Sequence, residues 1–395
     1  MQDLDMKNII LGVNQSHDTS VACINNESGE VVAVYEEERC RRQKHFSPID
    51  DAGFDTHENE GTEAYENFGL LAIDHKQLHN PSALAISSFD RRAFNLFFKD
   101  RVYKDRILQK ELIAEISGEQ LSLSRIKDIQ KSFGESVFKK NEVFDEEDNH
   151  INQAIARQCN VDSYYFDIRN HHYYHAICGS HLSPYDEAIV IAWDGGGAQS
   201  YFEEYPMYQE IETIWHYKDN TVTPIWKRLS NQRFVHSLHF DMDAFGEDAF
   251  MCYEDLETNI DDVPVVFTSM PSMGMNFSQM SYALGCDKMG RAAGKVMGMA
   301  SYGKAHPKVF TKHTEAQRLE LKSLEHSKEI IQRALDMVPD CKNVVLSGGY
   351  SLNCTNNYKY LQAFPDVQFF VDPIPHDGGT AVGVAIDYWR NHAGN

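Results

Sequence analysis

Six consecutive apolar residues, Ala188-Ile189-Val190-Ile191-Ala192-Trp193, run straight into Asp194 and three glycines, Gly195-Gly196-Gly197. The run reads as a buried strand. Its turn sets an acid at the carboxyl end of the strand, where open α/β sheets bind ligands. Just upstream, Asn170-His171-His172-Tyr173-Tyr174-His175-Ala176 places His171 and His175 four residues apart. On a helix both imidazoles leave one face, one turn apart, which suits two nitrogen ligands of a single metal ion. Neither signal is specific alone. HxxxH pairs also occur in ordinary cores and on surfaces, and an acid before glycines is also plain turn chemistry.

The same strand-turn-strand grammar opens the chain. Asn8–Asn14 is an apolar strand interrupted at Gly12, and Ser16-His17-Asp18-Thr19-Ser20 leads to a second strand, Val21–Ile24. Turn residues 25–30 precede a third, Val31–Tyr35. The hydroxyl-rich link is either a phosphate-binding hairpin or a surface turn. The charged stretch Glu36–His45 is either a solvated helix start or a set of cations, Arg39, Lys44 and His45, facing an anionic group. Residues 46–75 read as an exposed acidic insertion, and 76–160 as mostly helical and without a motif. After Asp194, residues 199–222 read as further strands, with Ile211, Thr213, Trp215 and Tyr217 on one face. Asp194–Gly197 thus holds the place in the second half that Asn14–Ser20 holds in the first. Two lobes that each open with such a hairpin and face one cleft make an α/β protein of the actin, heat-shock ATPase and sugar-kinase (ASKHA) class, with the site between the lobes.

Further along, residues 230–265 read as a second acidic, irregular insertion, and 276–284 as a helix. Gly290–Lys304 carries Gly294, Lys295 and Gly298 in a stretch too apolar for a linker. Either backbone approaches a ligand there, with Lys295 near phosphate, or the glycines serve close helix packing; the spacing is not that of a P-loop. Asn343–Leu346 is a buried strand, and Ser347-Gly348-Gly349 turns into a helix near Ser351-Leu352-Asn353-Cys354. That turn can meet an anion with free N–H groups, or be purely structural. A bulky residue at Gly348 is therefore expected to weaken nucleotide binding while leaving the fold intact. A last strand, Val367–Val371, leads to Asp377-Gly378-Gly379 and a small-residue helix, repeating the logic of Asp194.

At 395 residues the chain is long enough for two or three lobes. Its net charge of −22 argues against bulk duplex nucleic acid as a partner, since that binding needs clustered Lys and Arg. A local cationic pocket for a small substrate stays open. The eight cysteines form no CxxC pair, as in a reduced cytoplasmic protein. No apolar run approaches the ~20 residues of a membrane span, and the acidic start is no signal peptide.

In order, several stretches resemble the NodU/CmcH-type O-carbamoyltransferase family: Gly12–Asp18, Glu37-Glu38-Arg39 with Lys44-His45, and His171–Ala176. Asp194–Gly197, Gly294–Gly298, Ser347-Gly348-Gly349 with Leu352-Asn353, and Asp377-Gly378-Gly379 complete the set. The resemblance runs from Asn8 to Tyr388. It implies a two-lobed ASKHA fold, residues 1–165 forming the first lobe with its acidic insertion and 166–395 the second. It implies ATP and a divalent metal, Fe(II) by family precedent, although two nitrogens and two oxygens do not select iron over zinc or manganese. By position the metal ligands are His171, His175, Asp194 and Asp377. The nucleotide contacts are Asn14, Gly195, Gly196, Gly197, Gly294, Lys295, Gly298, Gly348, Gly349 and Asn353. His17, Asp18, Lys44 and Arg39 would meet the carbamoyl group or the acceptor.

The implied chemistry is transfer of a carbamoyl group from carbamoyl phosphate, through a carbamoyl-adenylate made with ATP, to a hydroxyl of a small-molecule, sugar or nucleotide acceptor. Family members usually continue with a YrdC-like domain that forms the adenylate, and the expectation here is a chain without it. Then a YrdC-like partner protein supplies that step, the sequence is a truncated piece, or the activity is lost. Two rivals stand beside this reading. One is an ASKHA small-molecule kinase, which needs a carboxylate base and has no need of the histidine pair. The other is a non-catalytic, ATP-binding regulatory subunit. A metalloprotease is excluded, because His172 stands where a zincin carries its glutamate.

Overall fold

The computed structural model describes residues 4–16, 18–46, 69–88, 142–168, 170–198, 208–230, 255–268, 270–286, 292–304 and 311–392, with 142–149 as backbone only. Three strands lead: β1 (Ile9–Asn14), β2 (Ser20–Asn25) and β3 (Val31–Glu36), followed by the short helices α1 (Glu37–Arg41) and α2 (Leu71–Lys76). β4 (Ala83–Ser87), α3 (Glu142–Cys159) and β5 (Tyr165–Asp167) complete the first sheet, ordered β3-β2-β1-β4-β5. β1, β2 and β3 pair antiparallel, while β4 and β5 continue parallel to β1.

The second half repeats this plan. Helix α4 (His171–Leu182) precedes β6 (Glu187–Trp193), β7 (Gln209–Lys218) and β8 (Thr221–Ser230). Then come β9 (Leu256–Ile260), β10 (Val263–Thr268), α5 (Met273–Ala283), α6 (Ala293–Ala300) and α7 (Lys312–Met337). β11 (Asn343–Ser347), α8 (Cys354–Ala363), β12 (Gln368–Val371) and α9 (Thr380–Asn391) close the chain. The second sheet runs β12-β11-β6-β7-β8-β10-β9. Its five strands β8-β7-β6-β11-β12 carry the same mixture of pairings as the first sheet, antiparallel across the hairpins and parallel across the crossovers. A duplicated sheet of this topology is the two-lobed ASKHA fold expected from the recurring hairpins.

Helices α4 and α9 lie between the sheets. Tyr174, Ile177, Val382 and Ile386 share one buried cluster with Ile10 and Ile24 of the first sheet and Val190 and Trp215 of the second. Glycines set the distances: a Cβ on Gly12 would lie 2.0 Å from the Ala381 carbonyl oxygen, and one on Gly383 2.2 Å from that of Tyr174. Gly12 stands within an unbroken strand, where α9 crosses it. The expected lobe junction at 165/166 falls at the start of β5, which still belongs to the first sheet. The far end of the chain also returns to the first lobe, where Trp389 Nε1 donates to the Asn26 carbonyl at 3.0 Å.

Three stretches differ from expectation. Ala83–Ser87, expected within a helical region, is a central strand of the first sheet. A short apolar run buried on both faces has no period to betray it. Residues 256–265, the end of the expected irregular insertion, belong to the β9–β10 hairpin, turned by Asp261 and Asp262 at φ 50° and 65°. The acidic pair is turn chemistry rather than a sign of loop. Of the expected insertions at 46–75 and 230–265, residues 47–68 and 231–254 lie outside the described residues, while residues 71–75, expected within the first, belong to helix α2. Among the described residues no helix is long and apolar enough to cross a membrane.

Candidate metal centre

Helix α4 begins without a side-chain cap and carries His171 in its first turn and His175 in its second, both buried. The end of β6 is fixed by Trp193, whose Nε1 donates to Ser351 Oγ at 2.7 Å. Asp194 follows at once. Its Oδ1 accepts from the Gly195 N–H at 2.6 Å, leaving Oδ2 toward the histidines. Asp377 opens the short helical turn Asp377–Gly379 that leads into α9. Its Oδ2 accepts from Ser16 Oγ of the first lobe at 3.0 Å.

The four side chains converge. His171 Nε2 lies 3.3 Å from Asp194 Oδ2 and 3.5 Å from Asp377 Oδ1; for His175 Nε2 the distances are 3.6 and 3.8 Å. The two Nε2 atoms are 3.2 Å apart. With metal–ligand bonds of about 2.1 Å, neighbouring ligand atoms on a tetrahedron stand about 3.4 Å apart, so the set fits one divalent ion. Each carboxylate also has its second oxygen tied to a protein donor, the outer support that orients metal ligands.

The electrostatics point the same way. Burial alone would lower the His171 imidazole, but the Asp377 and Asp194 carboxylates outweigh it and push its pKa up to about 9. His175 is raised against its own burial by the same two carboxylates. Burial and the Asp377 charge both act to raise Asp194, yet the two imidazoles hold it below the ordinary carboxylate range. The site therefore holds positive charge among buried acids, as a proton or as a metal. His172, fully buried, is lowered to about 4 by burial and stays neutral. Its Nδ1 pairs with Thr213 Oγ1 at 3.1 Å, and its ring fills the space beneath Gly197, where a Cβ would lie 2.4 Å from Cδ2.

The other expected site residues fall into three groups. Gly195, Gly294 and Gly298 have open faces, with nothing within 4 Å of an added Cβ; Lys295 lies on the same exposed side of α6 and donates to the Cys286 carbonyl at 3.3 Å. Gly196, Gly197, Gly348, Gly349, Asn14 and Asn353 face the protein. A Cβ on Gly196 would lie 2.7 Å from Gln209 Oε1, one on Gly348 2.2 Å from the Trp193 carbonyl oxygen, and one on Gly349 2.9 Å from Asp194 Oδ1. Asn14 braces the first hairpin, accepting from Ser16 N–H and donating to the Asp18 carbonyl. Asn353 caps α8 through Oδ1, while its Nδ2 donates to the buried Glu320 at 3.0 Å. The last group rims the first lobe. Asp18 Oδ1 pairs with His45 Nδ1 at 2.7 Å, Lys44 is exposed, and Arg39 is 75% exposed and paired with Glu36 and Glu38. His17 lies outside the described residues. Gly348 adopts φ 83° and ψ 154°, a conformation essentially confined to glycine, so a valine there would strain the fold itself rather than leave it intact.

Sequence reasoning missed two supports, Ser16 and His376. His376 precedes Asp377 and reaches Glu36 of the first lobe through Nε2 at 3.0 Å. Its hydrogen bond is the main cause that pulls the Glu36 carboxyl down to about 2. The one available signal was adjacency: a histidine directly before the glycine-flanked acid.

No family model matches the chain. An uncharacterized protein of Synechocystis sp. is 22% identical over 417 residues, an alignment covering 98% of this chain; the chain spans 58% of that relative's length. Among solved structures, component A of the (R)-2-hydroxyglutaryl-CoA dehydratase of Acidaminococcus fermentans superposes at a TM-score of 0.42 and 9% identity, over 98% of this chain and 99% of its own. Full-length HypF in its phosphate- and nucleotide-bound form gives 0.43 and 11%, over 98% and 56%. The ROK hexokinase of Thermus thermophilus gives 0.41 and 9%, over 96% and 97%.

Proposed function

We propose that this chain carries the transfer centre of an ATP-dependent O-carbamoyltransferase. It takes a carbamoyl-adenylate, made from carbamoyl phosphate and ATP, and passes the carbamoyl group to a hydroxyl of a small-molecule, sugar or nucleotide acceptor. The observation that carries this reading is the buried centre of two imidazoles and two carboxylates at the ends of β6 and of the turn before α9. A sugar kinase of the same fold needs a carboxylate base but has no use for the histidine pair.

His171, His175, Asp194 and Asp377 would hold a divalent metal, Fe(II) on the family resemblance. Such an ion supplies a Lewis acid and an anchor for phosphate oxygens. The open face of Gly195, beside Asp194, lets the nucleotide approach backbone directly, and the exposed side of α6 at Gly294, Lys295 and Gly298 supports the same reading. On the first-lobe rim, Asp18 is the acceptor for the hydroxyl proton, oriented by His45 at 2.7 Å. Lys44, exposed and next in sequence to His45, meets the carbamoyl oxygen, and His17 takes part on the family resemblance alone. Arg39, already paired with Glu36 and Glu38, acts at most on the field around the rim. A YrdC-like unit would supply the adenylate.

The test is incubation with carbamoyl phosphate, ATP and a panel of alcohols, with and without a YrdC-like partner, followed by mass analysis of the acceptor. A carbamate product is expected. A phosphorylated acceptor would instead establish the kinase, and ATP binding with no modified acceptor under any condition would establish the regulatory subunit.

A further inference from the structure

Asp377 draws its support from the opposite lobe. Ser16 Oγ donates to its Oδ2 at 3.0 Å, and Ser20 Oγ donates to the next carbonyl, that of Gly378, at 2.7 Å. The third link runs through His376. This residue is extended, with φ −75° and ψ 176°, and its Nδ1 accepts the Gly378 N–H at 3.1 Å, capping the turn that carries Asp377. An amide N–H can only donate, so Nδ1 must present its lone pair and the ring proton sits on Nε2. That N–H points at Glu36 Oε1, 3.0 Å away at the end of β3. Arg39 Nε in turn donates to the other oxygen of Glu36 at 2.8 Å. Glu36 thus accepts from both sides, from Arg39 and from His376, while His376 in turn accepts from Gly378. Asp18, with Oδ2 3.8 Å from His376 Nδ1, flanks the chain without entering it.

We infer that Glu36 and His376 form a strap from the first lobe that sets the orientation of Asp377 in the metal centre. Both are positioning residues, since neither is among the four converging ligands. The inference rests on the metal reading of His171, His175, Asp194 and Asp377. It deepens that reading by making the centre dependent on the edge strand of the other lobe. The physical reason is local. A carboxylate in a three-residue turn has freedom about both its side-chain torsions and the turn itself. Ser16 fixes one oxygen, and the capped, tethered backbone fixes the other.

The test uses the full chain and Co(II) as probe, read by its visible d–d absorption. Glu36→Ala and His376→Ala are each expected to weaken Co(II) binding about tenfold or more and to change the band shape, as removal of a group supporting a ligand does. Glu36→Gln keeps an acceptor for Nε2–H and stays near wild type. His376→Asn keeps a side-chain oxygen for the Gly378 N–H but cannot reach Glu36, so it is expected to lose affinity as His376→Ala does. Wild-type affinity in His376→Asn would reduce His376 to a local cap and overturn the strap. A second readout needs no ion. Glu36→Ala does not touch the Gly378 amide, yet it is expected to speed that amide's hydrogen exchange about tenfold. Unchanged exchange overturns the strap. Faster exchange in a protein that binds no Co(II) supports the strap and overturns the metal reading instead.

Discussion

His171 Nε2 and His175 Nε2 stand 3.2 Å apart inside the protein, each facing the same two carboxylate oxygens. Two ring nitrogens that close cannot both point protons at one another, and two buried carboxylates beside them cannot both go without a counter-charge. One divalent ion satisfies all four groups. Protein prepared without chelator is therefore expected to carry about one ion per chain. His171→Ala and Asp194→Asn should each lose it, by metal analysis after gel filtration. Full occupancy in both variants would remove the ligand assignment.

Metal uptake should be coupled to protons. In the metal-free chain the carboxylates raise His171 to about 9, so at neutral pH its imidazole carries a proton that a metal must displace. Titration in buffers of different ionisation enthalpy should show about one proton released per ion. Apparent affinity should climb as pH rises toward about 9 and then level off. Metal-free stability should move the opposite way. A histidine raised above its unfolded value of about 6.5 stabilises fully below that value. The contribution is lost as pH rises through about 9, so the metal-free melting temperature should fall there while the loaded protein's does not. A pH-independent affinity would contradict the protonated ground state.

The parts of this site that were legible in the sequence are those written in local spacing. His171 and His175 share a helix face, and Asp194 and Asp377 follow apolar strands by one residue and a short turn, respectively. What could not be read is which partner each side chain takes, near or far in the chain. Arg39 turns outward because Glu36 and Glu38 hold it. Its neighbour Glu37 is wholly buried, accepting from the Leu71 and Ala72 N–H groups at the start of α2. Asn353 turns inward because Glu320, 33 residues earlier, offers an acceptor. Strand β4 gave no periodic signal, since both of its faces are covered. Gly12 looked like a break in a strand because nothing nearby announces that Ala381 will press on it.

The glycine turns should separate into structural and open ones. At Gly348 a side chain meets glycine-only backbone, costing about 1–3 kcal/mol. A collision with the Trp193 carbonyl 2.2 Å from the Cβ adds about 1–3 more by overpacking. Gly348→Val should therefore unfold at markedly lower urea. Gly195→Ala has nothing within 4 Å of its Cβ and should shift stability by no more than about 1 kcal/mol. If nucleotide meets backbone at this turn, Gly195→Ala should still weaken ATP binding, measured by calorimetry on a demonstrably folded protein. Equal stability of the two variants would contradict the packing of Gly348 against β6.

The division of labour between adenylate formation and transfer makes the most direct test of function. If this chain only transfers, it should give no carbamate from carbamoyl phosphate and ATP, yet give product from preformed carbamoyl-adenylate or with a YrdC-like partner. Forming a mixed anhydride needs a site of its own. Transfer needs a held adenylate, an oriented hydroxyl and a base for its proton. On this reading Asp18 serves as that base: its side chain is 13% exposed, is held 2.7 Å from His45, and is not among the four converging ligands. Asp18→Asn keeps that hydrogen bond but removes the basicity, so transfer should fall about 10²–10⁴-fold with metal content unchanged. Lys44→Ala should lower transfer while sparing ATP binding, since Lys44 belongs to the first lobe and the Gly348-Gly349 turn to the second. Carbamate from the isolated chain with carbamoyl phosphate and ATP would show that adenylate formation also resides here. Failure even with preformed adenylate, over a broad acceptor panel, would turn the metal centre into a feature of a regulatory ATP-binding subunit.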